Sequence, residues 1–194
     1  MLNNMVEEIS KRTRMSPEER RRQLLGIGLR MLVERPIQDL SIDAVAAEAG
    51  ISRGLLFHYF PTKTDYYREV VGAALRRVRR NLSPDPDATP DLAVVQFLER
   101  FFAQIERRRE FYVALVYGSG ELSLGSDDLE SHRSLIARQL IEAAAIPESG
   151  HAVVHAWLAY IEDRALQWTG DPHRTPVQAE VTHGAAALRA LLAL

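Results

Sequence analysis

The chain has 194 residues, 46% apolar and 26% charged, which is enough apolar material for a true core in one or two domains. It holds no cysteine, which excludes a disulfide scaffold, a thiolate zinc site, an iron–sulfur cluster and a cysteine nucleophile. The net charge of −2 hides an asymmetry: residues 1–82 carry 15 Lys/Arg against 10 Asp/Glu and the rest carry 9 against 16, so only the first part suits a polyanion. No run of about 18 apolar residues occurs, and the opening residues lack the apolar stretch of a secretory signal. A cytoplasmic protein without a membrane partner is expected.

Helical periodicity runs nearly throughout, and no segment alternates with period 2 between hairpin turns. The fold class expected is all-α, with about nine helices. Residues 1–15 read as a flexible arm. Ser16, Pro17 and Glu19 form a capping-box start for helix 1, whose stripe includes Leu24, Ile27, Gly28 and Met31 and which Pro36 stops. Ser41 caps helix 2, with Ile42, Val45, Ala46 and Ala49 on one face. Gly50 stands where a left-handed turn residue is needed, and Ile51-Ser52 restarts the chain as helix 3, ended by Pro61. Helix 4 begins at Thr62, with Asp65 as its capping-box acid, and runs through Val78. The Pro/Asp-dense Ser83–Pro90 marks a domain boundary where the charge also changes sign. Helices 5 to 9 follow, with a Gly/Ser break at Gly118–Gly125 between the sixth and seventh. The division expected is a first helical unit over 16–62, a connecting helix over 63–82, and a second helical unit over 83–194.

The segment Ser41–Phe60 carries the chemical signal. Two short helices joined by a tight Ala-Gly-Ile turn have the helix-turn-helix layout, whose second helix can enter a DNA major groove about 12 Å wide. The leading residues of that helix must be small or polar to face base edges, and here they are Ser52, Arg53 and Gly54. Leu56 and Phe60 are suited to lock it onto its neighbours. The same layout also serves as a plain packing unit, so this reading alone leaves both uses open. Arg53 can address guanine O6 and N7 with two bonds, and Gly54 lets backbone approach DNA closely. Leu55 is either a thymine-methyl contact or core, and His58 and Tyr59 are phosphate or base contacts, or buried. Ser41 and Ser52 cap helices and can also offer hydroxyls to phosphates. Arg20-Arg21-Arg22 either flanks the DNA backbone or is a solvated face, and Arg76, Arg77, Arg79 and Arg80 suit the negative end of helix 4.

Residues 16–78 resemble the N-terminal domain of TetR-type transcriptional regulators. Gly50, Ser52, Gly54, Leu56, Phe57, Phe60 and Lys63 stand in the register of that family's Gly-x-Ser-x-Gly-x-Leu-Tyr-x-x-Phe-x-x-Lys pattern. The resemblance implies that Lys63 contacts a phosphate. Phe57 replaces the usual tyrosine, so a phenol–phosphate bond at that place is lost or moved to a neighbour. It also implies a homodimer on a palindromic operator, released by a small-molecule effector, with repression the default and activation open. No cofactor is implied.

Helices 8 and 9 resemble the family's dimerisation pair, with Trp157, Ile161, Gly184, Ala185, Leu188 and Leu192 as interface candidates and Leu191 beside them. Helices 5 to 8 are expected to hold the ligand pocket. Phe97, Phe101, Phe111, Tyr112, Tyr117, Trp157 and Tyr160 are its candidate lining, with Phe102 and Trp168 also plausible. They favour an apolar or aromatic effector, and His132, Glu121 and Gln139 are polar candidates. His151 and His155 have metal-compatible spacing but lack the Glu of the His-Glu-x-x-His motif, and no metal site is expected. No nucleophile constellation or Gly-rich phosphate loop appears, so an enzyme is not expected. Two alternatives remain at this stage: a helical carrier whose helix-turn-helix only packs, and an α-helical enzyme.

Overall fold

The computed structural model describes residues 15–34, 40–117 and 126–194. Residues 1–14 of the arm expected over 1–15, the stop at Pro36 and the Gly/Ser break over 118–125 lie outside the described residues, as do Glu121 and the Tyr117 side chain. Nine α-helices and no strand occur among the described residues: α1 (Pro17–Glu34), α2 (Ile42–Ala49), α3 (Arg53–Tyr59), α4 (Lys63–Leu82), α5 (Pro90–Arg107), α6 (Arg109–Tyr117), α7 (Ser126–Ala143), α8 (His151–Gly170) and α9 (Val177–Leu192).

Local chemistry sets the helix ends. At the start of α1 the Glu19 N–H donates to Ser16 Oγ at 3.2 Å, while the Ser16 N–H donates to the Glu19 carboxylate at 2.7 Å. Those bonds, the backbone one first, hold the Glu19 carboxyl below its ordinary pKa. Thr62 and Asp65 make the same reciprocal box at α4, at 3.0 and 3.2 Å. The turn after α2 is a Schellman motif. The N–H of Gly50 reaches the Ala47 carbonyl at 3.1 Å, and that of Ile51 reaches Ala46 at 3.0 Å. Gly50 has φ 64°, a left-handed conformation that costs a side-chain-bearing residue about 1–2 kcal/mol.

Two cores result. The first joins Leu24, Ile27 and Met31 of α1 with Ile42 and Val45 of α2, Leu56 and Phe60 around α3, and Tyr66, Tyr67 and Val70 of α4. Two buried phenols tie it together: Tyr66 donates to the Leu24 carbonyl at 2.9 Å and Tyr67 to the Leu40 carbonyl at 2.6 Å. The second core joins Val78 and Leu82 of α4 with Phe97, Phe101 and Phe102 of α5, Trp157 and Ile161 of α8, and Val181 and Leu188 of α9. So α4 contributes its first half to one core and its second half to the other. Phe111 of α6 packs against both cores and against the small Val71–Leu75 cluster between them. The connection after α4 is fastened: Arg100 binds Asp85 at 2.5 Å, Gln96 donates to Asp85 at 2.8 Å, and both bonds hold that carboxyl below its usual pKa.

Helix α1 lies close against α4 at Gly28. A Cβ there would collide with the Tyr66 hydroxyl and stand 2.7 Å from Val70 Cγ2. Gly28→Ala is therefore expected to lower stability by a net of about 1–2 kcal/mol, because overpacking at about 1–3 kcal/mol outweighs the gain in helix propensity. Thermal or urea unfolding checks this, and adding Tyr66→Phe, which removes the colliding hydroxyl, should recover part of the loss in the double variant.

Candidate nucleic-acid interface

A seven-residue helix has little stability of its own, so α3 is held by what surrounds it. Ser52 caps it, accepting from the Leu55 N–H at 3.2 Å. Leu56 and Phe60 are fully buried, which fixes the helix rotation. The opposite face turns outward: Arg53, Gly54 and His58 are exposed, and so is Leu55 at 40%. Leu55 is therefore not core. Tyr59 is half-buried against the N-terminal core and meets His58 edge to face with ring centroids 5.5 Å apart. Ser41 at the start of α2 accepts from the Ala44 N–H at 3.0 Å.

Arg53 is held from two sides. Its Nη1 lies 3.3 Å from both carboxylate oxygens of Asp43 on α2, and its guanidinium lies 5.5 Å from the Phe57 ring centroid. Both ion-pair partners are well exposed, so the pair contributes at most about 1 kcal/mol and can open to a guanine edge. The phenylalanine at 57 thus has a task, supporting an arginine by its ring face, that needs no hydroxyl. Asp43 is a functional neighbour that periodicity alone does not reveal, because it lies ten residues from Arg53. Lys63 opens α4 on the exposed side, its ammonium 5.2 Å from the Tyr67 ring centroid. Among the three arginines of early α1, Arg21 pairs with Glu69 and lies 4.7 Å over the buried Phe60 ring, a structural placement. Arg20 donates to Gln23 at 2.7 Å, and Arg22 is exposed.

Nothing packs closely on Gly54. The nearest atom to a Cβ built there is Ser52 Oγ at 3.9 Å, so the protein's own packing does not call for a glycine. Glycine within a helix is less stable than alanine by about 0.5–1 kcal/mol.

The residues named for a ligand pocket fall in three places. Phe101 and Tyr112 border a void of about 20 Å³ in the second core, together with His132, Arg133, Ile136, Leu158, Glu162 and Val78. That is room for one water rather than for an organic molecule. Phe97 and Trp157 are interior, their rings tilted by 41° with centroids 6.1 Å apart, and the Trp157 indole N–H is bound to the Gly184 carbonyl at 3.0 Å. Phe102 packs edge to face on Trp168 in the same core. Tyr160 faces outward and shares a 2.5 Å hydrogen bond with His183. Phe111 borders a larger cavity near α1. Gln139 points elsewhere, donating to the Arg79 carbonyl at 3.2 Å and to Ser83 Oγ at 3.0 Å.

Most of the interface candidates on α8 and α9 also face inward. Trp157, Ile161, Gly184, Ala185 and Leu188 are buried within the chain's own core, where a Cβ on Gly184 would stand 3.0 Å from Ile161 and 3.2 Å from Leu98. Alpha 5 needs that stripe for its own burial, so it is not available to a second copy. Leu191 and Leu192 are exposed. The uncovered side of the pair carries Ala152, Ala156, Ala186 and Ala190 around Tyr160 and His183. His151 and His155 stack with ring centroids 6.2 Å apart, and His155 Nε2 lies 3.2 Å from Glu130. No group of three or more His, Cys, Asp or Glu among the described residues is placed to hold a metal.

His132 bears on stability. Burial first, then the charges of Arg79 and Arg133, push its pKa from 6.5 down to about 4. Between those values the unfolded chain binds the proton and the folded chain does not, so stability is full above pH 6.5 and falls as pH drops toward 4. The loss is about 3 kcal/mol across that window. Replacing the imidazole in His132→Gln should flatten this part of the stability–pH curve. Parallel curves for the two proteins would count against it.

The comparisons match this geometry. Residues 24–70 match the family model described as bacterial regulatory proteins, tetR family. The transcriptional regulator LuxR of Vibrio harveyi is 36% identical over 76 residues, which are 39% of this chain but only 37% of LuxR. The repressor BepR of Brucella suis is 23% identical over 159 residues, 77% of this chain and 76% of BepR. A TetR-family regulator from Streptomyces coelicolor superposes with a TM-score of 0.72 at 28% identity, over 91% of this chain and 82% of that one. A transcriptional regulator from Pseudomonas aeruginosa covers 95% of each chain with a TM-score of 0.61 at 22% identity, a likeness of fold. Behind the outward-facing α3, the N-terminal segment over residues 24–70 matches the TetR family of transcriptional regulators, and the chain shares the helical architecture of such a regulator along nine tenths of its length.

Proposed function

We propose that the protein is a homodimeric, effector-responsive DNA-binding regulator that reads a palindromic operator with α3 of each copy. The observation that carries this is the division of α3, with Leu56 and Phe60 buried and Arg53, Gly54, Leu55 and His58 presented outward. A buried or covered α3 would have favoured the carrier reading. Arg53 is the base reader, addressing guanine with two bonds after leaving Asp43. Leu55 offers its methyls to thymine, Gly54 lets the helix backbone come close, and Lys63 meets a phosphate whatever the sequence. The enzyme alternative has no support from the relatives, which are transcriptional regulators.

One such helix reads few base pairs, and two copies about 34–36 Å apart on one side of a duplex extend the site. The face around Tyr160 and His183, with its exposed alanines, suits a second copy because small side chains let helices approach. An effector that binds the other spacing of the two helices more tightly releases the DNA. The void beside His132 and Tyr112 supports an effector site only if it opens beyond its present volume. Repression follows the default of the family and of BepR's description. A regulator of this kind acts in the cytoplasm, where the DNA is.

Three variants test the reading against a selected operator and its scrambled counterpart across a salt series. Arg53→Ala should cost about 1–3 kcal/mol on the operator and little on scrambled DNA, whereas Lys63→Ala should weaken both alike and lower the salt slope by about one. Gly54→Ala should raise thermal stability by up to about 1 kcal/mol yet weaken operator binding, a split that a purely structural role does not produce. Equal losses for Arg53→Ala on both DNAs would remove it as the specificity residue.

A further inference from the structure

A cavity of about 210 Å³ lies where the two cores meet. Leu29 and Leu32 of α1, Ala74 and Val78 of α4, and Phe111 of α6 supply its apolar wall. Arg77 and Asn81 of α4, with Gln104, Arg107 and Arg108 at the end of α5, supply its polar wall. Three guanidinium groups thus border one small space, those of Arg77 and Arg107 reaching solvent, and no carboxylate is among the described residues that line it. The dipole of α5 favours Arg107 and Arg108 near its C-terminus. It does not account for Arg77, which comes from another helix. Several arginines beside a partly apolar cleft make its potential positive, which favours an anion seated there. Gln104 adds a buried polar side chain on the otherwise apolar inner face of α5.

We propose that this cavity is the effector site, and that the effector is a small carboxylate with an alkyl or aryl body. The carboxylate would take bidentate hydrogen bonds from the arginines, for which the planar guanidinium is well shaped. The apolar body would lie against Leu29, Leu32, Ala74 and Phe111. The volume equals the liquid share of about seven waters, enough for about ten bonded non-hydrogen atoms at protein packing density. Its position supplies the regulatory link. The wall is built from α1 of the DNA-reading unit and from α5 and α6 of the second core, so an occupant touches both and favours one seating of α1 against them. Phe111, which packs on both cores, is part of the same wall. The regulatory consequence rests on the proposed function, while the binding itself does not.

The test is calorimetric titration of the full chain with octanoate against 1-octanol, and with 2-naphthoate against 2-naphthol, no DNA being present. At least one acid should bind once per chain and at least about tenfold more tightly than its alcohol, a difference of about 1.4 kcal/mol. Arg77→Gln combined with Arg107→Gln should weaken the acid about tenfold and leave the alcohol unchanged. Ala74→Leu, which fills the cavity, should weaken both, and a melting curve for each variant checks that it is folded. Binding of neither acid below about 1 mM by the folded wild type would overturn the proposal. So would acids and alcohols binding equally, or acid binding unaffected by the arginine substitutions. DNA selection without acid binding would leave the regulator reading standing and remove this site. Acid binding without DNA selection would do the reverse.

Discussion

Leu56 and Phe60, four positions apart on one side of α3, are buried among Leu24, Ile42, Val45 and Tyr66, and this anchorage fixes everything the helix shows to solvent. A helix of seven residues cannot hold its own conformation, so its rotation is set by these two side chains, by the Ser52 cap and by the left-handed Gly50 before it. With that rotation fixed, Arg53, Gly54, Leu55 and His58 have one direction in which to point. The rest of the N-terminal unit serves the same constraint: Tyr67 ties α4 to the residue preceding α2, Tyr66 ties it to α1, and Arg21 covers the outer edge of Phe60.

A reading helix becomes a switch only if something distant can move it. Alpha 4 belongs to both cores, and Phe111 touches both, so the seating of the N-terminal unit on the remainder is decided within a few side chains. The cavity bordered by Arg77, Arg107 and Arg108 opens at that contact. Packed interfaces shift between discrete arrangements rather than deform smoothly, so a ligand of modest size placed there suffices to bias the spacing between two reading helices.

Much of this was legible in the sequence. The caps at Ser16, Ser41, Ser52 and Thr62 and the Gly50 turn follow from local chemistry acting over a few residues. What periodicity does not say is which partner buries an apolar stripe. Trp157, Ile161 and Leu188 form a face equally suited to a second copy or to α5, and the chain's own Phe97 and Leu98 take it. Leu55 and Leu56 are adjacent and chemically identical, and only the anchored rotation sends one outward and the other in. The aromatic residues suggested a pocket because aromatics line pockets and cores alike, and most of them fill the core. The junction cavity was out of reach for a different reason: its wall gathers residues from position 29 to position 111, and its arginines come from two separate helices.

Selection of genomic fragments by the purified wild-type protein, with Arg53→Ala in parallel, tests the central claim most directly. The account predicts enrichment of short palindromes whose half-sites lie about one helical turn apart, bound by two chains, with the enrichment lost in the variant while weak salt-sensitive binding persists. Fragments recovered without any shared sequence, or the same palindromes recovered equally by the variant, would contradict it.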